Sequence, residues 1–283
     1  MISAAEEKEI LARAYVPEHL VGLMTLVSGG EPFLIDGYLC VRTGDHLILV
    51  GYPLDREFQA DGLAEIVKRI IEKFKPARIS LVAPELPQSM AKARRERESD
   101  RYYTLDLDRW TMPPAMKRQI AKAREQVRVE RARELSKHHH KLSNEFVARV
   151  DPAPRVRELL FSMPRYVRRS PDALVLNAWD DNDRLSAFYV VDLAAANFST
   201  YVIGCHSKEN YVRGASDVLF LEMVNLSKEF GKAFIHLGLG VNDGVRRFKI
   251  KWGGVPNRVY EMCEWTIRKP SILDAIRRRS LGQ

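Results

Sequence analysis

One order of local signals occurs twice along this chain, a hairpin, then a helix with one apolar face, then a buried strand, and it limits the fold more than any single motif. In the first copy, "EPFLIDGYLCVRTGDHLILVGYP" supplies two apolar runs joined by Thr43-Gly44-Asp45, a composition that suits a β-hairpin turn. Leu63, Ile66, Ile70 and Phe74 then recur at three- and four-residue steps after the candidate N-cap Asp61, and Lys75-Pro76 closes the helix. "RISLVAP" follows as a buried strand. In the second copy "ALVLNAW" and "RLSAFYVVDL" flank the turn Asp180 to Asp183, and "FSTYVIGC" extends the meander. A helix from about Gly214 to Phe230 ends at Gly231, and the strand "AFIHLGL" completes the copy. Such units pack as mixed, mostly antiparallel sheets with helices on both faces, so the expected class is α+β.

The charged run "QSMAKARRERESDR" carries no apolar face of any length and reads as a connector between units. The expected division is residues 1–108, residues 109–269 and a tail at 270–283 containing "SILDAIRRRSLGQ". "RYYTLDLDRW" reads as a strand, and Pro113-Pro114 opens the next helix, where proline suits a first turn. That helix keeps Met116, Ile120 and Ala123 on one face and Lys117, Arg118, Lys122 and Arg124 on the others. "VRVERA" alternates as a strand, and a helix from about Ser136 to Val150 turns Leu142 and Phe146 inward.

Composition excludes several classes. With 283 residues, 46% of them hydrophobic, there is material for one large or two modest cores. No stretch approaches the roughly eighteen apolar residues of a membrane span, and the N-terminus is acidic and helical rather than an export signal. Cys40, Cys205 and Cys263 are widely spaced and odd in number, the usage of reduced thiols, so the cytoplasm is the expected location. A formal charge of +8 favours polyanionic partners. His138, His139 and His140 stand about 100° apart on a helix and cannot converge on one ion, so no metal is expected. Neither a Ser-His-Asp constellation nor a Walker loop is visible.

Two segments can carry chemistry. Arg213-Gly214-Ala215-Ser216 opens a helix, where unpaired N–H groups and the macrodipole suit a phosphate or carboxylate; equally, Gly214 serves as a turn residue with Ser216 or Asp217 as N-cap. In "GLGVNDGVRRFKIKWGG", glycines mark a strand exit and Asn242 or Asp243 caps a short helix. Val245, Phe248 and Trp252 share one face of it, with Arg246 and Lys249 beside them.

That segment resembles the glycine, Phe-Lys, aromatic-glycine signature of the Fem-type transferases, a branch of the GNAT acyltransferase superfamily, and "MKRQIAKAREQVRVE" is similar to the opening of their second GNAT unit. The likeness runs over roughly residues 109 to 267, and the lysyl-phosphatidylglycerol synthase type of tandem GNAT domain is related in pattern. It implies tandem GNAT-like units, with the first hundred residues as a degenerate copy, and transfer of an acyl or aminoacyl group onto an amine or hydroxyl. The lysine role falls on Lys249, with Phe248 shaping the pocket, while Asp192, His206 and Tyr211 stand by element ends expected to converge on the cleft. The donor would lie at Arg213, Gly214, Ala215 and Ser216, with Tyr211 and Arg246. Acyl-CoA is a possible donor substrate and no tightly bound cofactor is implied. The spacing of the usual GNAT pyrophosphate turn is incomplete at Arg213-Gly214-Ala215, which leaves aminoacyl-tRNA as a donor, contacted by Lys117, Arg118, Lys122 and Arg124. An acyl-CoA N-acetyltransferase and a non-catalytic module binding tRNA or another polyanion are the alternatives.

Overall fold

The computed structural model describes residues 2–88 and 94–268, and the C-terminal tail considered above lies outside the described residues. The described residues divide into two compact units, one built from residues 2–102 and 257–268, the other from residues 103–256.

In the first unit a capping box between Ser3 and Glu6 starts α1 (Ala4–Arg13), and α2 (Val21–Ser28) ends at Gly29 with positive φ. Three strands follow where the sequence predicts two: β1 (Glu31–Ile35), β2 (Tyr38–Thr43) and β3 (His46–Val50). The extra turn is Asp36-Gly37, both at positive φ (47° and 76°), the conformation that a two-residue hairpin of right-handed twist demands. α3 (Ala60–Phe74) buries Leu63, Ile66, Val67 and Ile70. Its N-cap is Gln59 rather than Asp61, which sits in the first turn.

β4 (Arg78–Ala83) pairs parallel with β3 and antiparallel with the chain's last strand, β11 (Val255–Thr266), giving the order β1-β2-β3-β4-β11. The parallel pair is closed along its whole length, since five residues of β3 match five of β4 and Gly51 N–H donates to the Val82 carbonyl at 2.7 Å. A Cβ on Gly51 would stand 2.7 Å from that of Ala83, so the glycine permits this closure. The supposed connector is a correction: β5 (Arg94–Asp106) runs through it, and Glu261 accepts from Arg97 at 2.8 Å and from the Ser99 hydroxyl at 2.8 Å. Charge on a strand is tolerated where alternate side chains reach solvent or a counter-ion, so a run without apolar periodicity need not be a loop.

In the second unit α4 (Pro114–Arg124) precedes β6 (Val127–Ala132), α5 (Lys137–Val150) and α6 (Pro154–Arg169), the last not anticipated from sequence. β7 (Ala173–Asp180), β8 (Leu185–Asp192) and β9 (Phe198–His206) form the antiparallel meander with β6. α7 (Ala215–Glu229) leads to β10 (Phe234–Leu239), α8 (Asp243–Lys251) and the start of β11. The order is β10-β9-β8-β7-β6, with the end of β5 beside β10. α4 and α7 cover one face, where Leu176, Tyr189, Val218, Phe220, Leu237 and Trp252 belong to one core, and α5 and α6 contact the sheet as well. Mixed sheets, mostly antiparallel and flanked by helices, make the chain α+β as expected.

Candidate functional site

The second unit differs from the first where its parallel strands meet. β9 and β10 match only at Phe198–Phe234, Ser199–Ile235 and Thr200–His236, although both strands run on, to His206 and Leu239. From Tyr201 and Leu237 onward they no longer pair. On the other side of β9, Val190 stands opposite Ile203 and Val191 opposite Tyr201, which leaves Val202 as an extra, bulged residue without a counterpart on β8. A bulge beside an opened pair exposes backbone polar groups that a continuous ladder would consume.

The chain between β10 and α8 brings a cation to that opening. Gly238 and Val241 have positive φ, 72° and 55°, and for a β-branched residue such as Val241 this conformation is strained. Asn242 then caps α8, its side chain accepting from Val245 N–H at 3.0 Å. Lys249, on the buried side of α8, is only 4% exposed. Its ammonium donates to the Leu239 carbonyl at 2.5 Å and lies 5.6 Å from the centre of the Tyr103 ring. A Cβ on Gly238 would stand 3.9 Å from both Lys249 Nζ and the Tyr201 carbonyl, which places the ammonium beside the residues where β9 and β10 part. Gly253-Gly254 makes the tight exit possible: Gly253 has φ of 90°, and a Cβ on Gly254 would meet Leu237 at 2.8 Å and the Lys249 carbonyl at 2.9 Å.

The aromatic residues of the same segment fix the helix. Trp252 is fully buried, stacks on Phe220 at 4.3 Å, and donates from Nε1 to Asp217 at 3.0 Å. Phe248 packs edge-on against Phe220 at 5.6 Å, half-buried, so it braces α8 on α7. Asp217 is a residue whose importance the sequence did not reveal. Entertained there as an N-cap, it is instead buried in the first turn of α7, where it takes Lys251 at 2.8 Å and Gln119 of α4 at 2.8 Å besides Trp252. The N-cap is Gly214, in the left-handed region, and Ser216 does not cap. A Cβ on Gly214 would touch Ala123 of α4 at 3.0 Å. Thus the turn Arg213 to Ser216 and the basic helix, suggested independently by sequence, are neighbours. Arg213, Lys117, Arg118, Lys122 and Arg124 are all exposed, as is Tyr211. Arg246 is exposed on the first turns of α8, within 3.4 Å of Asp243.

Two further sequence candidates are engaged by other elements. Asp192 ends β8, alongside Thr200 at the still-paired base of β9, and both its oxygens are engaged, one by the Tyr166 hydroxyl at 2.5 Å and one by Ala194 N–H at 2.9 Å. Burial pushes its carboxyl pKa upward, against the effect of those two donors. This is a turn carboxylate pinned to α6 by Tyr166. His206 ends β9 with its carbonyl held by Arg149 of α5 at 3.0 Å, and burial followed by the Arg149 charge lowers its ring pKa. His139 is buried as the partner of Ser136 in the capping box of α5 and touches Asn177 at 2.8 Å, while His138 and His140 are exposed. Among the described residues no group of three or more His, Cys, Asp or Glu side chains could hold a metal ion, and no helix is long and apolar enough to cross a membrane.

No family model matches the sequence, and no curated protein is similar to it. Solved structures are. FemX aligns over 100% of this chain and 99% of its own at 12% identity with a TM-score of 0.65. L-PGS from Bacillus licheniformis aligns over 100% and 98% at 12% identity with a TM-score of 0.59. A tandem GNAT protein from the clavulanic acid biosynthesis pathway aligns over 93% and 94% at 13% identity with a TM-score of 0.50. The chain therefore shares its fold with FemX, L-PGS and a tandem GNAT protein, the GNAT-type fold that its Phe-Lys and glycine segments suggested.

Proposed function

We propose that this chain is an acyltransferase, moving an acyl or aminoacyl group from an activated donor onto an amine or hydroxyl, with the reacting carbonyl at the opening of β9 and β10. The observation that carries the reading is the buried ammonium of Lys249 beside that opening. In the reaction the acceptor nitrogen or oxygen bonds to the donor carbonyl carbon, the carbon's bond to the donor's ester oxygen or thioester sulfur breaks, and the acceptor's proton passes, directly or through solvent, to that departing oxygen or sulfur. Charge gathers on the carbonyl oxygen between these events. A fixed ammonium in a dry site stabilises that charge by about 3 kcal/mol, comparable to a single oxyanion-hole donor. The bulged peptide at Val202 is a suitable second donor. Phe248 and Trp252 act by holding α8 against α7, and no dedicated base is assigned.

Aminoacyl-tRNA is the donor favoured over acyl-CoA. Gly214 is pressed on Ala123, the pyrophosphate-turn spacing is incomplete, and the exposed cations of α4 flank the turn, as phosphate neutralisation along an RNA backbone requires. Thermal unfolding with uncharged tRNA, aminoacyl-tRNA and CoA tests this. A donor at a hundred times its Kd adds about 2.7 kcal/mol to stability, and the Lys117→Glu/Lys122→Glu pair should abolish the tRNA shift without moving the ligand-free Tm. A shift with CoA alone would reassign the donor, and no shift with any of them would remove the transferase reading.

A further inference from the structure

A cavity of about 290 Å³ in the second unit lies among α5, the start of β8 and the segment after β9. It belongs neither to Lys249 nor to the turn at Arg213. Its wall is built rigidly. Glu145 of α5 accepts from the Ser207 hydroxyl at 2.7 Å and from Lys208 N–H at 2.5 Å, and Ser207 Oγ in turn accepts from Asn210 N–H at 2.9 Å. Burial opposes the ionised form of Glu145, but these donors and Arg149 outweigh it and hold its pKa below the ordinary glutamate value. The one carboxylate on the cavity wall therefore stays ionised, its charge balanced by Arg149 at 3.5 Å and its oxygens engaged by the Ser207 and Lys208 donors.

Leu142 and Leu185 give the cavity an apolar surface. Around them stand four nitrogen-bearing side chains: the exposed His138 ring, edge-on to Trp179 at 5.4 Å, and three groups with hydrogen-bonding capacity to spare. Arg184 is oriented by buried Asp180 through Nε at 2.9 Å and Nη2 at 2.8 Å, which leaves Nη1 without a hydrogen bond among the described residues. The Asn210 side-chain amide likewise makes no hydrogen bond among the described residues. Lys141 is tied only at its exposed end, to Glu209 at 2.9 Å, where solvent screens the pair. Two cations and an amide facing a small apolar hollow match a planar anion on a short aliphatic group, and a preoriented guanidinium is the usual partner of a carboxylate.

We propose that this cavity is a binding site for a small aliphatic carboxylic acid, such as an acylated amino acid or the C-terminal residue of a peptide, its carboxylate met by Arg184 and Lys141 and its side chain on Leu142 and Leu185. The site does not depend on the transferase reading. The test is titration of the whole isotope-labelled protein with N-acetyl-L-leucine and, separately, with its uncharged amide, following backbone amide resonances. Saturable shifts at Leu185 and Asn210, with the amide at least about tenfold weaker, are expected. Arg184→Gln should weaken the acid about tenfold. Because loss of Arg184 also unpairs Asp180, Lys141→Gln at the exposed rim is the second variant, expected to weaken the acid severalfold with an otherwise unchanged spectrum. Equal affinity for acid and amide, insensitivity to both substitutions, shifts confined to other surfaces, or no saturation below roughly 10 mM would each overturn the proposal.

Discussion

Lys249 illustrates how a side chain's environment rather than its type assigns it a task. Lysine is rarely buried without a partner, and here a backbone carbonyl and an aromatic face supply one while the stem crosses the interior. Lys249→Met keeps the stem and removes the charge, so it should leave Tm within a few degrees and act only on chemistry. A different residue governs stability against pH. His19 in the first unit is fully buried, with Nε2 at 2.9 Å from the Tyr52 carbonyl, and burial drops its pKa to about 4. The unfolded chain takes up this proton near pH 6.5, whereas the folded one resists until about 4. Between those limits the unfolded state binds more protons, so stability falls as pH falls, by about 3 kcal/mol from this group. Urea midpoints of the native protein and His19→Gln, measured from pH 7.5 to pH 4.5, should converge as the pH is lowered; parallel curves would contradict the assignment.

At the scale of elements, Asp217 ties α7, α4 and α8 together. Asp217→Ala leaves Trp252 Nε1 buried without an acceptor and should cost about 2 kcal/mol, read as a lower urea midpoint; a change under about 0.5 kcal/mol would show that the three helices pack without it. Its neighbourhood also shows what the sequence could convey. The periodicity of Leu63, Ile66 and Ile70, and of Val218 and Leu221, made α3 and α7 legible because each faces one core. Asn242 and Gly253-Gly254 bounded α8 because caps and tight exits have few chemical solutions. The Asp36-Gly37 turn has an equally legible composition, an Asp-Gly pair between Leu34-Ile35 and Tyr38-Leu39. α6 was missed since Pro164 interrupts its pattern and its arginines mask an apolar face. The role of Asp217 and the cavity beside Glu145 were beyond sequence, for each depends on contacts among residues far apart in the chain.

For the whole molecule, the instructive contrast is between the parallel strand pairs of the two units, each considered within its own unit. β3 and β4 stay paired to Gly51, with no room for a group between them, whereas β9 and β10 separate after three residues and receive a buried cation. The chemistry proposed here accordingly belongs to the second unit. The most direct test is donor consumption under single-turnover conditions, with aminoacyl-tRNA or acyl-CoA and hydroxylamine as a stand-in acceptor, for the native protein and Lys249→Met. The native protein should accelerate transfer from one donor above the uncatalysed rate, and Lys249→Met should fall by about 10²- to 10³-fold with its Tm preserved. Equal rates for the two proteins, or no acceleration by the native protein with either donor, would contradict the account.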